Sequence, residues 1–316
     1  MTPGQNVFVI VFTLITFFRD LLMRQNFSED EWETLLQAPM QALVDQLSRV
    51  DVVLDVRDAR IPLSTCHPRL DQWVGERGWV LVLNRVDMIS PAARQAWESW
   101  FRQQGQIPWF ANAQQGQGVK AIAQAAQLAG QAVNQRRQAR GMKPRPIRAV
   151  VIGFPNVGKS ALINRLLNRR VVDSARRAGV TRQLRWVRLA TDLDLLDAPG
   201  VMPARLTDQA AALKLAICDD IGVAAYDSQR IATAFLDLLQ ELEPRSSDSY
   251  GPILKERYGL DLRQQSGEAW LADLASQRFH TDQDRAAKRL LNDFRTGLLG
   301  AWALEWPPAT PVPMEP

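Results

Sequence analysis

The chain has 316 residues, of which 46% are hydrophobic and 23% charged, a composition typical of a soluble globular protein with room for two domains. The two cysteines, Cys66 and Cys218, and the two histidines lack paired or metal-type spacing, which argues against a disulfide framework or a Cys/His metal site and favours a cytoplasmic location. The net charge of +4 is uneven: residues 205–316 carry 12 Lys+Arg against 17 Asp+Glu, which leaves about +9 on residues 1–204 and favours either a polyanionic partner or general solubility.

The first 27 residues contain an apolar run, Val7 to Phe18, that fits no standard targeting segment. Its 12 residues fall short of the roughly 20 that span a bilayer. A signal peptide has its basic residues before the apolar run, whereas Arg19 and Arg24 follow this one. Peripheral membrane contact, an additional apolar helix and a misassigned start codon all remain open for residues 1–27.

Residues 28–204 alternate between helical and strand patterns. Ser28, followed by Glu31 three residues later, forms a capping-box pattern that predicts a helix. Short β-branched or apolar runs then predict six strands, at 51–56, 79–84, 107–111, 147–153, 184–190 and 193–197, with helices near 91–103 and 118–139. This alternation predicts an α/β fold with a mostly parallel sheet and helices on both faces.

Three later segments depart from this alternation. Residues 136–148, RRQARGMKPRPIR, are basic and interrupted by glycine and prolines, which predicts a connector crossing the surface. From about 205 the strand signals give way to helical periodicity, and we predict a small all-α domain over 205–303. The proline-rich end of the chain predicts a disordered tail over 304–316.

The segment GFPNVGKS, Gly153 to Ser160, fits the phosphate-loop pattern G-x-x-x-x-G-K-[ST]. It follows a predicted strand and precedes a predicted helix, the context in which backbone N–H groups turn inward and bind phosphates at a helix N-terminus. Lys159 is expected to reach the β- and γ-phosphates, and Ser160 to ligate Mg²⁺. The sequence therefore predicts a nucleoside triphosphate site.

Two further motifs complete the phosphate side of such a site. In DAPG, at the end of a predicted strand, Asp197 is expected to hold Mg²⁺ through water, and the Gly200 N–H to contact the γ-phosphate. Between the two motifs, Thr181 in RRAGVTRQ lies where its hydroxyl and carbonyl could reach Mg²⁺ and the γ-phosphate. On its own this last segment also fits an ordinary turn.

The segment NRVD, Asn84 to Asp87, follows a predicted strand and fits the guanine-recognition motif N-K-x-D with arginine in place of lysine. An aspartate carboxylate accepts from N1–H and the exocyclic amine of guanine, a pair of donors that adenine lacks, so Asp87 is the discriminating residue. Arg85, like lysine, has a long apolar stem and a cation, and we expect weaker affinity rather than loss of the site. The alternative is a strand that ends in a polar turn.

A weaker match follows the next predicted strand. Asn112, Ala113 and Gln114 lie where a base-contacting S-A-K loop is expected, with a backbone N–H directed at guanine O6. The serine and the lysine of that pattern are both replaced, so the assignment depends on position. The segment GQGV, which leads into the next helix, supports it.

In chain order the motifs run base recognition, base loop, phosphate loop, switch and magnesium strand, which is a guanine-nucleotide site in circular permutation. This order, with DVRDARIPLS (Asp55–Ser64) and LLNDFRTGLLG (Leu290–Gly300), resembles the circularly permuted ribosome-biogenesis GTPases of the ribosome biogenesis GTPase A type over about residues 40–300. The resemblance implies a circularly permuted P-loop GTPase domain over 28–204 and a helical RNA-binding domain coupled to nucleotide state. It also implies action on the large ribosomal subunit precursor and its rRNA; we expect a monomer.

The resemblance assigns roles to individual residues. Asn156 occupies the position of the phosphate-loop asparagine that ligates K⁺ in potassium-activated members, and with Lys159, Thr181 and Gly200 it forms the expected catalytic set. The expected Mg²⁺ ligands are Ser160, Thr181 and Asp197. The residues expected to contact GTP or GDP are Asn84, Arg85, Asp87, Asn112, Ala113, Gln114, Asn156, Val157, Gly158, Lys159, Ser160, Ala161, Thr181 and Gly200.

Two departures from the family pattern bear on hydrolysis. Val201 follows Asp-x-x-Gly, where many GTPases carry a glutamine, and an apolar side chain cannot orient water by hydrogen bonding. The histidine that the family carries near its N-terminus is also missing, since no histidine precedes His67, which we interpret as structural. We expect hydrolysis that is slow without the ribosome; the alternative is a GTP-dependent binding protein with negligible hydrolysis.

Two groups of basic residues are candidates for RNA contact. The first is Arg136, Arg137, Arg140, Lys143 and Arg145 of the connector. The second is Arg285, Lys288, Arg289 and Arg295 near LLNDF. For the second group a solvated helix face fits equally well, since residues 205–316 are net acidic.

Overall fold

The computed structural model describes residues 47–167, 185–190, 193–197, 208–221, 227–244 and 250–308. The apolar run Val7–Phe18, the helix predicted from Ser28, and the predicted site residues Thr181 and Gly200 lie outside these ranges. No helix within the described ranges has both the length and the apolarity to cross a membrane.

One six-stranded sheet forms the first part of the structure. Its strands are β1 (Val52–Asp58), β2 (Gly78–Asn84), β3 (Pro108–Ala111), β4 (Ile147–Ile152), β5 (Arg185–Ala190) and β6 (Leu193–Asp197). Their order across the sheet is β3-β2-β1-β4-β6-β5, and every neighbouring pair is parallel except β5 and β6. All six predicted strands are confirmed, with bounds that differ by at most two residues.

Helices cover both faces of this sheet. They are α1 (Leu70–Val74), α2 (Pro91–Gln103), α3 (Val119–Ala139) and α4 (Lys159–Leu166). Successive strand residues point to opposite faces. Leu54 of β1 packs in the cluster that contains α3 and α4 side chains, whereas its neighbour Val53 packs with α1, and Leu81 of β2 with α2. The predicted α/β fold is confirmed.

In the described residues that follow the sheet, five α-helices form the helical part of the molecule. They are α5 (Gln209–Cys218), α6 (Ser228–Leu242), α7 (Tyr250–Tyr258), α8 (Gly267–Arg278) and α9 (Gln283–Arg295). Four begin at a side chain that accepts a hydrogen bond from the first turn, namely Asp208, Asp227, Ser266 and Asp282. Phe235, Trp270 and Phe294 join the same hydrophobic cluster as the strands. The predicted all-α region is confirmed, and its limits at 205 and 303 stay a prediction.

Residues 302–306, which we call the C-terminal strap, pack against the loop after β1. Leu304 is 1% and Glu305 6% exposed, and their N–H groups donate to the Arg60 carbonyl at 3.0 and 3.1 Å. The Glu305 carboxylate accepts from the Leu63 N–H at 2.8 Å, and its carbonyl accepts from the Trp97 indole at 3.2 Å. The disordered tail predicted from 304 was therefore wrong at its start, because these partners lie more than 200 residues away in the sequence.

Candidate functional site

The carboxyl ends of five parallel strands meet at one edge of the sheet, the place where ligands bind in open α/β sheets. There β2 ends at Asn84, β6 ends at Asp197, and the segment 153–160 follows β4. Asn84 and Val157 are 73 residues apart in the sequence, and their polar groups are in contact. The structure thus brings the segments predicted to bind base and phosphate to the same edge.

The segment 153–160 forms a tight loop that two glycines permit. Gly153 has a φ of 148°, and a Cβ there would lie 2.2 Å from the Val56 carbonyl oxygen. Gly158 has a φ of 102°, and a Cβ there would lie 2.1 Å from the Asn84 amide nitrogen. Between them Asn156 is also left-handed, with a φ of 58°. Any side chain at either glycine would collide with its neighbour, so the phosphate loop depends on both.

Lys159, the first residue of α4, is folded onto this loop. Its ammonium donates to the carbonyls of Gly153 at 3.0 Å and Phe154 at 2.7 Å, and the residue is 7% exposed. Ser160 follows it, partly exposed in the first turn of α4. A buried ammonium at a helix N-terminus fits a bound phosphate, and an accessible hydroxyl fits the preference of Mg²⁺ for oxygen ligands.

Asn84 connects the three predicted segments. Its amide nitrogen donates to the Val157 carbonyl at 2.7 Å, and its amide oxygen accepts from the Ala113 N–H at 3.0 Å. The residue is 3% exposed. The sequence predicted Asn84 as a base contact; in the structure it also sets the base loop against the phosphate loop.

The base loop, residues 112–114, forms a compact turn after β3. The Asn112 side chain accepts from the Gln115 N–H at 3.0 Å, and the Gln114 carbonyl accepts from the Arg165 guanidinium of α4. Ala113 is 2% exposed, and its N–H points to Asn84 rather than into open space. The loop therefore lies where position alone predicted it, although the N–H expected to face guanine O6 is not that of Ala113.

Arg85 is left-handed, with a φ of 62°, and precedes the short turn Val86–Met88. Its guanidinium lies 3.0 Å from the Asp58 carboxylate and 3.8 Å from that of Asp220, and it donates to the Asn156 carbonyl. It thus contacts the phosphate loop through the Asn156 carbonyl. Its charge, however, is directed at two carboxylates that the sequence did not mark.

The remaining predicted residues lie at the rim of this edge. Asp87 is exposed in the turn after Arg85, where a ligand can reach its carboxylate. Asp197 ends β6 opposite Val151 of β4, two residues before the phosphate loop begins. The predicted Mg²⁺ ligands Ser160 and Asp197 therefore come from neighbouring elements, while the third, Thr181, lies outside the described residues.

Four charged residues beside Arg85 were missed by sequence reasoning. Arg60 donates to both carboxylate oxygens of Asp58, at 3.0 and 2.7 Å. Asp219 and Asp220 follow the last residue of α5, and the Asp219 carbonyl accepts from the Asn156 amide at 2.7 Å. Charges at and directly after the end of the buried strand β1 were a signal for the first pair. Nothing in the sequence marked the second pair, whose partners are all distant.

The two buried carboxylates differ in protonation. Burial, reinforced by the Asp58 carboxylate, raises the pKa of Asp220 to about 8. Burial also opposes the charge of Asp58, but Arg60 and Arg85 hold the pKa of Asp58 below its usual value. At neutral pH Asp58 is therefore the anion of this cluster, and Asp220 keeps its proton.

Asp58, Cys218 and Asp220 have ligand atoms within 4.8 Å of one another, a spacing that could hold a metal ion. Two guanidinium groups already occupy the Asp58 carboxylate, those of Arg60 and Arg85. Burial raises the pKa of the Cys218 thiol well above its usual range, which disfavours the thiolate that a metal requires. We therefore interpret the cluster as a charge network and not as a metal centre.

Comparison with known proteins finds relatives that match most of the chain. A family model described as "50S ribosome-binding GTPase" matches residues 148–248. Ribosome biogenesis GTPase A of Bacillus cereus is 31% identical over 271 residues, which cover 84% of this chain and 89% of that protein. The protein of the same name from Priestia megaterium is 30% identical over 279 residues, covering 86% of this chain and 94% of its own length.

Solved structures agree on the fold. GDP-bound TM YlqF matches with a TM-score of 0.57 at 24% identity, covering 84% of this chain and 98% of its own. In this chain the base segment after β2 precedes the phosphate loop after β4, and helices follow the sheet, which is a circularly permuted P-loop GTPase domain with an all-α addition. The chain belongs to the ribosome biogenesis GTPase A family and is a GTP-binding, GTP-hydrolysing protein of ribosome assembly.

Proposed function

We propose that this GTPase acts on the precursor of the large ribosomal subunit, binds its rRNA, and changes the placement of its helical part with nucleotide state. The description of the matching family names the 50S subunit as partner, which supports the large subunit as target. The observation on which the rRNA contact rests is the distribution of charge along the GTPase domain.

Between Glu98 and Asp173 the chain has no acidic residue. The basic residues in this interval are Arg102, Lys120, Arg136, Arg137, Arg140, Lys143, Arg145, Arg148, Lys159, Arg165, Arg169 and Arg170. Without neighbouring carboxylates, exposed cations gain fully from replacing the counterions of a phosphate backbone. A run of this length and sign favours nucleic acid over an acidic protein segment as partner.

The exposed cations of this run are most closely spaced at the end of α3 and in the connector that follows it. Arg136, Arg140 and Lys143 are exposed, and Gln131 and Gln135 on α3 add amide groups that suit contacts with sugar and base. Arg145 does not belong to this surface, because Asp51 binds its guanidinium at 2.7 and 2.9 Å. The basic surface that we propose for rRNA therefore consists of Arg136, Arg140 and Lys143.

The basic residues of α9 are engaged within the protein. Lys288 pairs with Asp284, Arg289 lies 3.0 Å from Asp293, and Arg295 donates to two carbonyls of α5. Such pairs reduce the charge that a phosphate would meet. Of the two groups of RNA candidates, we favour the connector.

Coupling to nucleotide state is supported by the position of α5. The chain leads into this helix from Asp197 and the Asp-x-x-Gly segment, and after its last residue the Asp219 carbonyl contacts Asn156 of the phosphate loop. Both ends of α5 are thus joined to segments that are expected to sense the γ-phosphate. A shift at either segment reaches the helical part directly.

For the chemistry we assign Lys159 and Asn156 to stabilisation of the transition-state charge, together with Thr181 and Gly200. Ser160, Thr181 and Asp197 would hold Mg²⁺, which neutralises phosphate charge when it is bound. Asn156 uses its amide nitrogen for Asp219, so its amide oxygen, the atom that can ligate K⁺, is not used in that contact.

The rate of GTP hydrolysis distinguishes two candidate functions, a ribosome-dependent GTPase and a GTP-dependent binding protein. His67 is 4% exposed and stacks on Trp73 with ring centres 4.2 Å apart, and burial, with Arg69, lowers its pKa to about 4. This residue is therefore a packing group and a poor substitute for the missing N-terminal histidine. With Val201 this favours hydrolysis that is slow until the ribosome contributes, and the second candidate is a GTP-dependent binding protein with negligible hydrolysis.

The first experiment is GTP turnover in K⁺ and in Na⁺, with and without large ribosomal subunit precursors, using Lys159→Ala as the blank. We expect turnover that rises with particles and is higher in K⁺. Tight GTP binding without phosphate release under all four conditions would favour the second candidate. Absence of binding to the particles in any nucleotide state would refute the large-subunit proposal.

The basic surface is tested by substituting Arg136, Arg140 and Lys143 together with glutamine. We expect weaker binding to precursor particles and a salt dependence reduced by about one unit of slope for each lost phosphate contact. The matched control substitutes Arg285, Lys288 and Arg289 of α9 with glutamine. Equal losses in the two triple variants would contradict the assignment of the contact to the connector.

A further inference from the structure

The C-terminal end of α5 is bound by side chains from three other parts of the molecule. Arg295 donates to the carbonyls of Ala216 and Ile217 at 2.7 and 2.8 Å. Arg60 donates to the Cys218 carbonyl at 3.2 Å, and Asn156 to that of Asp219 at 2.7 Å. The last carbonyls of a helix lack partners within it and carry its negative dipole end, which attracts such donors. These contacts fix Asp219 and Asp220 against the nucleotide site.

Within this arrangement Asp220 faces Arg85. Its carboxyl is fully buried and forms no hydrogen bond within the described residues, and the Arg85 guanidinium lies 3.8 Å from it. Asp58, the ionised partner of Arg85, already receives three hydrogen bonds from Arg60, whereas the Asp220 carboxyl, protonated at neutral pH, has none. A buried polar group without a hydrogen bond is costly, so its position beside Arg85 needs an explanation.

The backbone of Arg85 explains why an anchor matters there. A non-glycine residue at a φ of 62° is unfavourable by itself, and the conformation persists only when other contacts hold it. Arg85 stands between Asn84, which is fixed to both loops, and Asp87, whose exposed carboxylate can meet a base. The orientation of Asp87 therefore depends on what holds the side chain of Arg85.

Arginine suits this task better than the lysine of the motif. Its planar group has several donors in a fixed geometry, and here it meets Asp58, Asp220 and the Asn156 carbonyl together. An ammonium has its three donors on one nitrogen, whereas the guanidinium of Arg85 places Nη1 at Asp58 and Nη2 at the Asn156 carbonyl. The departure from the motif and the buried carboxyl of the helical part thus belong to one arrangement.

We propose that Asp220, from the helical part, is a positioning residue of the guanine-nucleotide site, which holds Arg85 so that Asp87 is oriented to recognise guanine. This rests on the proposed base recognition by Asp87 and goes further, because it makes the helical part a component of the nucleotide site. Asp220 itself touches neither base nor phosphate in this arrangement.

The test compares the full chain with Asp220→Ala and Asp220→Leu, each in the parent and in an Arg85→Lys background. Both substitutions remove the carboxyl; leucine keeps most of the side-chain volume. Asp273→Ala, which removes an exposed carboxylate from α8, is the matched control. Dissociation constants are measured for GDP and for IDP, whose base lacks the exocyclic amine, and circular dichroism and thermal melting establish that each variant is folded.

In the parent background we expect both Asp220 substitutions to weaken GDP binding by about threefold to tenfold, in the lower part of the range for coupled neighbours. The preference for GDP over IDP should fall, which a general loss of stability would not cause. In the Arg85→Lys background the same substitutions should change GDP binding by less than about twofold, because the residue on which Asp220 acts is gone.

Two results would overturn the proposal: unchanged GDP binding in a folded Asp220→Leu variant, or an equal loss in both backgrounds. The proposed base recognition fails in a different way. If the parent chain binds ADP as tightly as GDP, guanine recognition itself is absent, whatever Asp220 does.

Discussion

The two halves of the nucleotide site are built in different ways. The phosphate half is one continuous segment, 153–160, shaped by its own glycines. The base half that we propose is assembled from the turn 84–87, the loop 112–114 and the end of α5, with side chains in contact between these segments. A contiguous segment keeps its shape from local backbone geometry, whereas an assembled one depends on contacts from every part that supplies it.

This difference predicts that the base half tolerates single substitutions better than the phosphate half does. In the phosphate half a single atom has no room, because Gly158 lies against Asn84. In the base half several weak side-chain contacts together hold the segments in place. We therefore expect the loss of any one contact to weaken nucleotide binding only in part. Four predictions test this contrast, in order of decreasing effect.

The largest effect is expected from Gly158→Ala. The new Cβ would lie 2.1 Å from the Asn84 amide nitrogen at a φ of 102°, so the loop or Asn84 must move. A few kcal/mol of strain would raise the dissociation constant for GDP by about 100-fold or more. Gly141→Ala is the matched control, since Gly141 has a φ of 71° and nothing within 4 Å of its Cβ position. Similar losses in both variants would show that backbone conformation, and not the collision, matters.

A smaller loss is expected from Asp87→Asn in the base half. The amide keeps the shape but loses the charge that accepts from two donors of guanine, which should weaken GDP binding by about 10- to 100-fold. Binding of ADP should hardly change, so the ratio of the two constants is the measurement. Asp71→Asn on α1 replaces an exposed carboxylate away from this turn and serves as the control. An unchanged ratio would remove Asp87 from base recognition.

The buried carboxyl of the base half predicts a dependence of stability on pH. The pKa of Asp220 is raised to about 8 in the folded chain, against an ordinary value of 3.8, so the folded state holds a proton that the unfolded state releases. Stability should therefore decline by about 1 kcal/mol for each pH unit between pH 4 and 8, and level off above. Urea unfolding of the parent and Asp220→Asn over this range isolates the contribution. Parallel curves for the two proteins would contradict it.

The smallest effect is expected from Arg165→Ala. The guanidinium of this exposed residue binds the Gln114 carbonyl and so joins the base loop to α4. An exposed contact of this kind contributes little, and we expect the dissociation constant for GDP to change by less than about twofold. Isothermal titration with GDP measures the constant. A tenfold change would mean that the hydrogen bond from Ala113 to Asn84 is not enough to hold the base loop in place.

The same contrast explains which parts of the fold and the site could be predicted from the sequence. The strands, the phosphate loop and the order of the motifs were predictable, because periodicity and glycine spacing are local properties of the chain. Asn84 was assigned to the base, but its second task of joining two loops was not foreseen. Asp58, Arg60 and Asp220 were missed as site residues, since their role exists only after β1, β2 and α5 are brought together.

The strap was misjudged for a related reason. The prolines around it predicted disorder, and composition cannot reveal that Glu305 fits the backbone N–H groups of the loop after β1. Trp97, whose indole binds the strap carbonyl, has no sequence feature that points to this partner. Burial of a charged residue is decided by its distant partners, and a single sequence does not name them.

Arg60 belongs to both attachments of the helical part. Its side chain binds the Cys218 carbonyl at the end of α5, while its own carbonyl accepts from Leu304 and Glu305 of the strap. Loss of either contact, at the end of α5 or at the strap, would therefore disturb Arg60 and with it the other contact. The α/β part and the helical part should therefore unfold as one cooperative unit. We expect a single calorimetric transition whose calorimetric and van't Hoff enthalpies agree.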